Sequence, residues 1–167
     1  MDAARTRFVA EVSSNHHGSL ARCLDFIDCA ADIGCDAVKF QLFRVRELFA
    51  PEILEHSPAH RARTGWELPT AFLPELAARA HARDLAFACT PFSLGAALEL
   101  APYVDFYKIA SYELLWDPLL AACAKQGRPV VLSTGMADED EIAHALRVLD
   151  DAGCRDELCL RWLSLLL

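Results

Sequence analysis

A chain of 167 residues with 54% hydrophobic content is long enough to bury one sizeable core, which excludes a disordered segment. Its formal net charge is -8, from 16 basic and 24 acidic residues, and no run of Lys or Arg could track a phosphodiester backbone, so nucleic acid is not an expected partner. The seven Cys include no C-x-x-C and no Cys/His cluster at zinc spacing, and they read as reduced, mostly buried thiols. Residues 1–7 lead into a strand-like run rather than the apolar core of a signal peptide. The apolar ending, 158–167, is far shorter than the roughly 20 residues of a membrane span. A cytoplasmic protein of one domain, with no membrane contact, is the expectation.

The first strand is expected over 8–13 (FVAEVS). A helical period follows over 19–33, where Leu20, Cys23, Leu24, Ile27, Ala30 and Ala31 recur on one face, and Gly34 ends it. The second strand covers 37–43 (AVKFQLF). Next comes the one long connection, 44–70, with Pro51, Pro58, Gly65 and Pro69 around a polar middle containing His and Arg; it reads as a functional lid or excursion. Helix 74–83, strand 85–89, helix 94–101, strand 106–110, helix 118–125, strand 129–133, helix 138–152 and strand 157–163 complete the chain. Apolar runs this short suit parallel strands covered on both faces, and the unbroken β-α alternation makes the fold class α/β with a parallel sheet.

Polar residues sit at one end of these strands. Glu11 lies in the first, Lys39 and Gln41 in the second, Thr90 just past the third, Lys108 and Ser111 in and after the fourth, and Ser133 at the end of the fifth. In a (β/α)8 barrel that end carries the active site. Lys39 and Gln41, two apart, point the same way, as do Glu11 and Ser13. A Lys inside an apolar strand either pairs with an acid or meets an anionic ligand, because an isolated buried ammonium is costly. Hydroxyls at strand ends either cap the next helix or face the site. Together, Lys39, Lys108, Thr90, Ser111 and Ser133 offer the charge compensation and hydrogen bonds that a phosphate monoester needs. His16 and His17 read as solvated loop residues. Trp66, Phe72 and Trp116 read as packing, and Cys89 as a small core residue rather than a nucleophile.

At these same positions the sequence resembles the sialic acid synthase family, which includes N-acetylneuraminate, legionaminate and pseudaminate synthases. The resemblance is carried in order by AEVSSNHHGSL (10–20), DAVKFQLF (36–43), WELP (66–69), ACTPF (88–92), DFYKIASYEL (105–114) and PVVLSTGMA (129–137). It implies a (β/α)8-type barrel that condenses phosphoenolpyruvate with an N-acetylmannosamine-type aldose and releases phosphate. It also implies a divalent metal, Mn2+ or Mg2+, and a homodimer for the full-length family. On the family's pattern Lys39, Thr90, Lys108, Ser111 and Ser133 hold phosphoenolpyruvate, while Glu11, Gln41 and Glu113 address the sugar and the reacting carbons.

The pattern departs at the end of the chain. Where the family continues HC-[VT]-S-x-YP, this sequence has Arg161, Trp162, Leu163 and Ser164, and the family's two metal-binding His have no counterpart. The expectation is an incomplete barrel with about six of eight β/α units over 1–167, no C-terminal antifreeze-like domain and no stable metal site. Two outcomes stay open: a synthase segment completed by sequence not shown, or a non-catalytic remnant. Another phosphoenolpyruvate-dependent aldol synthase on the same barrel is the alternative among enzymes, with WELP and the NHHG loop against it.

Overall fold

The computed structural model describes residues 6–154 and the backbone of a strand at 157–160. Six strands alternate with helices, and their order in the sheet is their order in the chain. They are β1 (Val9–Ser13), β2 (Ala37–Leu42), β3 (Ala86–Pro91), β4 (Phe106–Ile109), β5 (Val130–Ser133) and β6 (Glu157–Leu160). The pairs β1–β2, β4–β5 and β5–β6 are parallel, as expected for an α/β fold. Expected strand residues 161–163 lie outside the described residues.

The chain divides into two compact units, Met1–Ala88 and Cys89–Leu167, with the boundary inside β3. In the first, α1 (Leu20–Asp32) starts at an N-cap, Ser19, whose hydroxyl accepts from the Arg22 amide. It stops at Gly34, whose φ of +79° is left-handed backbone that glycine adopts without a Cβ penalty. Its buried face, Cys23, Ile27 and Ala30, recurs at helical spacing. The helix packs on α5 (Leu73–Ala82), and the contact is edged by charge. Arg79 grips Asp28 with two hydrogen bonds, while Arg83 bridges Asp28 and Asp32. Asp28 is thereby held below the usual carboxylate range, chiefly by the Arg79 hydrogen bond.

The long connection is not an irregular loop. Three short helices, α2 (Val45–Leu48), α3 (Pro51–His56) and α4 (Pro58–Ala62), and two 3-10 turns, Arg63–Trp66 and Thr70–Phe72, fill it. Pro51 and Pro58 stand at first-turn positions, where a missing N–H costs nothing. Trp66, expected to pack inside, is 45% exposed and lies under the Arg63 guanidinium.

In the second unit α6 (Leu94–Leu100), α7 (Asp117–Ala124) and α8 (Glu139–Asp151) accompany β4 to β6, with α7 packed against both of the others. Tyr107 is fully buried and its hydroxyl donates to the Ala97 carbonyl at 2.6 Å, which satisfies a group near the end of α6. Asp138 opens α8 with a capping box: its carboxylate accepts from the Glu141 amide, and the Glu141 carboxylate accepts from the Asp138 amide. The described Cys residues carry no disulfide, and Cys23, Cys89, Cys123 and Cys154 are buried. No helix among the described residues is long and apolar enough to cross a membrane.

Candidate active site

The predicted site residues fall in both units, three in the first and five in the second. In the first, Glu11 and Lys39 stand opposite each other in the parallel register of β1 and β2, and their side chains form an ion pair. Lys39 is only 8% exposed, where an ammonium would be costly alone, and of the two readings of a strand-borne Lys the structure shows the ion pair with an acid. Gln41 follows two residues on in β2, on the same side of the strand.

The expected alternation of Glu11 and Ser13 does not hold. The register slips between them, and Ser13 takes a φ of +54°, which turns the chain out of the strand. The Ser13 amide then donates to Glu11 Oε1 at 2.9 Å, so the carboxylate is held by this amide and by Lys39 together.

His16 corrects a second expectation. It is fully buried, not solvated, whereas His17 is exposed. Its Nδ1 accepts from the Gly18 amide at 3.0 Å, which places the neutral ring's proton on Nε2. Nε2 has no hydrogen-bond partner among the described residues, and the ring lies 6.4 Å from that of Phe40. Burial, with a lesser effect from His17, holds its pKa below the ordinary value. Asn15, the residue before it, folds its side-chain amide back onto the Val12 carbonyl, and this tight turn is what carries His16 inward.

In the second unit, Lys108 of β4 reaches toward the C-terminal end of the sheet. Its ammonium donates to the Ile109 carbonyl at 2.8 Å and to Ser133 Oγ at 2.5 Å. Because Ser133 accepts here, its own proton can be donated outward. Ser111 stands in the 3-10 turn Ser111–Glu113 that follows β4. Its Oγ lies 3.5 Å from where a Cβ on Gly135 would project, so the turn after β5 runs past it.

Glu113 ends the same turn, half-buried, with Oε2 wholly buried and unpartnered among the described residues. Burial raises its pKa; its own backbone hydrogen bond and nearby Lys108 partly offset this. Thr90 is 2% exposed and belongs to β3 itself rather than to the loop beyond it.

The second unit thus brings together an ammonium, two hydroxyls and a carboxyl that keeps its proton more readily than an ordinary glutamate. Such a set can compensate a phosphate dianion and exchange a proton beside it. For the implied divalent metal the residues do not fit: among those described, no group of three His, Cys, Asp or Glu side chains is placed to hold an ion. No step is assigned to one.

Comparison with known proteins places the chain as a whole. The NeuB family model matches residues 26–164. The N,N'-diacetyllegionaminic acid synthase of Campylobacter jejuni is 33% identical over 162 residues, 90% of this chain and 48% of that protein. The crystal structure of the N-acetylneuraminic acid synthetase of Leptospira borgpetersenii, in complex with citrate, superposes with a TM-score of 0.79 at 32% identity, covering 87% of this chain and 50% of that one. The spore coat polysaccharide biosynthesis protein SpsE of Bacillus subtilis also gives a TM-score of 0.79, at 28% identity, covering 95% and 44%. The chain spans about half the length of the curated relatives it matches. Its fold is α/β of the (β/α)-barrel type, with six strands among the described residues. A family model covering most of the chain shows that the chain belongs to the NeuB family.

Proposed function

We propose that the chain carries phosphoenolpyruvate- and sugar-handling residues of a nonulosonate synthase, which joins phosphoenolpyruvate to an N-acetylmannosamine-like aldose. One observation carries the reading: the Lys108 ammonium bonded to Ser133 Oγ, with Ser111 and Glu113 in the turn that follows the same strand. Lys108, Ser133 and Ser111 hold the phosphate, Thr90 contributes a further hydroxyl, and the assignment of Lys39 to phosphoenolpyruvate rests on the family's pattern alone. The methylene carbon of phosphoenolpyruvate attacks the open-chain aldehyde and forms the new C–C bond. The aldehyde oxygen takes a proton, which Glu113 supplies because burial keeps its carboxyl protonated to higher pH. Water adds to the electron-poor carbon that bears the phosphate, releases a proton, and inorganic phosphate leaves. Glu11, fixed by Lys39 and the Ser13 amide, and Gln41 orient the sugar hydroxyls. Prealigned donors of this kind stabilise charge as it develops on the departing group.

The test is steady-state kinetics of Lys39→Ala and Lys108→Ala in a protein that turns over. Each is expected to lower kcat/KM for phosphoenolpyruvate by roughly a hundredfold or more, the scale of losing a preorganised charge partner. Near-normal kinetics in both variants would overturn the assignment.

A further inference from the structure

The loop from β1 to α1, residues 14–19, is wound tightly on backbone that side chains resist. Ser13 and His17 carry φ values of +54° and +49°, in the left-handed region where a Cβ is penalised. Backbone bonds close its two ends: the Asn15 amide donates to the Val12 carbonyl at 3.1 Å, and the Ser19 amide to the His16 carbonyl at 3.0 Å. Between them the Gly18 amide donates to Nδ1 of the fully buried His16 ring.

That central bond exists in one protonation state only. Nδ1 accepts through a lone pair, and a proton there turns the acceptor into a donor facing the Gly18 amide. Nε2 offers no relief, having no partner among the described residues, and an imidazolium buried without an acceptor is costly. The charge that bears on the ring, that of the exposed His17, has the same sign. Of the elements around the loop, β1 presents Glu11, tied to Lys39 of β2 and to the Ser13 amide. α1 presents Arg22, whose Nε donates to the Asn15 carbonyl at 2.6 Å, and the buried Cys23, whose thiol burial pushes up to about 11. β2 meets the ring with uncharged Phe40.

We propose that neutral His16 latches the β1–α1 loop shut, and that protonation of its ring opens the loop and draws the Ser13 amide away from Glu11. Burial holds the closed ring's pKa below 6.5, whereas an opened loop returns the imidazole to water and its ordinary value. Opening therefore takes up a proton. The closed form keeps its full advantage above pH 6.5 and loses it as pH falls from there toward the closed ring's own pKa. One proton raises the open population by up to about tenfold between pH 7.5 and 5.5. The latch stands whether or not Glu11 addresses a sugar, because loop opening is read without turnover.

Amide hydrogen exchange of the chain, resolved by NMR and corrected for the intrinsic effect of pH, tests it. Protection of the Gly18 amide should fall severalfold from pH 7.5 to 5.5, while the Leu132 amide in β5 keeps its own. Asn at position 16 offers a carbonyl oxygen to the same amide in an Asx turn but has no proton to gain, so His16→Asn should keep Gly18 equally protected at both pH values. His17→Asn, which suits left-handed backbone, should respond as the parent does. Gly18 protection that is flat with pH in the parent, or that falls as much in His16→Asn, overturns the proposal. So does an equal fall at Leu132, which would mean that the whole fold loosens, or a response abolished by His17→Asn. If His16→Asn does not fold, the parent alone decides. Its His16 ring protons and Gly18 amide must titrate together with a midpoint below 6.5, and a ring that titrates at 6.5 or above overturns the latch.

Discussion

Glu113 shows how a single side chain sets function against stability. Burial of its carboxyl raises its pKa above 4.5, with the nearby Lys108 charge offsetting only part of the effect. Between 4.5 and that raised value the folded chain holds a proton that the unfolded chain has lost, so stability falls as pH rises through this window and stays lower above it. Glu113→Gln removes the charge but keeps the shape. It is expected to melt at a higher temperature than the parent at pH 7, with the gap closing by pH 4, while losing most of any turnover. Thermal unfolding at both values checks this, and equal melting temperatures at pH 7 would show that the buried carboxylate costs nothing. The residue types of the site were legible from their strand-end positions, as Lys108 and Ser133 illustrate. His16 was not, because nothing in an Asn-His-His-Gly run says that the Asn15 side chain will turn back on Val12 and bring the first imidazole inside.

At the scale of elements, what the sequence made legible follows how each element is stabilised. The strands and long helices follow apolar patterns that burial enforces: α1 and α8 each run 13 residues, long enough for a 3.6-residue period to repeat. The helices α2, α3 and α4 run 4, 6 and 5 residues, too short for a period to emerge; α3 and α4 persist through Pro at the first turn, and side-chain bonds such as Glu67 to the Val45 amide and Arg61 to Leu54 brace the segment. A proline-rich polar stretch therefore reads as loop while folding as a braced segment. The slip in β1 escaped for a similar reason, since one extra residue in a ladder leaves the apolar pattern intact. Start signals are more readable, and the capping box of α8 permits a quantitative expectation. Asp138→Ala removes the acceptor of the Glu141 amide and should cost about 1 kcal/mol, lowering Tm by about 3 °C for a chain of this size. A melting curve indistinguishable from the parent's would mean that the first turn of α8 is held by packing alone.

At the scale of the whole molecule, net charge opposes the fold and its anionic ligands at once. With -8 at pH 7 and an isoelectric point near 5.2, the compact chain repels itself and repels incoming phosphates over distances longer than any ion pair. Salt acts on this repulsion in one direction and on the Asp28, Arg79, Arg83 and Asp32 network in the other. The network groups are all at least partly open to solvent, and ion pairs so placed contribute little, so screening them loses little. The repulsion is spread over the surface at separations that a Debye length of about 30 Å at 0.01 M leaves unscreened and one of about 8 Å at 0.15 M removes. The repulsive term therefore wins, and Tm at pH 8 should rise by a few degrees between 0.01 and 0.15 M NaCl. Near pH 5.2 net repulsion vanishes while the ion pairs remain, so the same salt increase should leave Tm flat or slightly lower. Differential scanning calorimetry at the two pH values separates these terms. A Tm that falls with salt at pH 8 would show that the α1–α5 charge network, not overall repulsion, dominates the electrostatics of this fold.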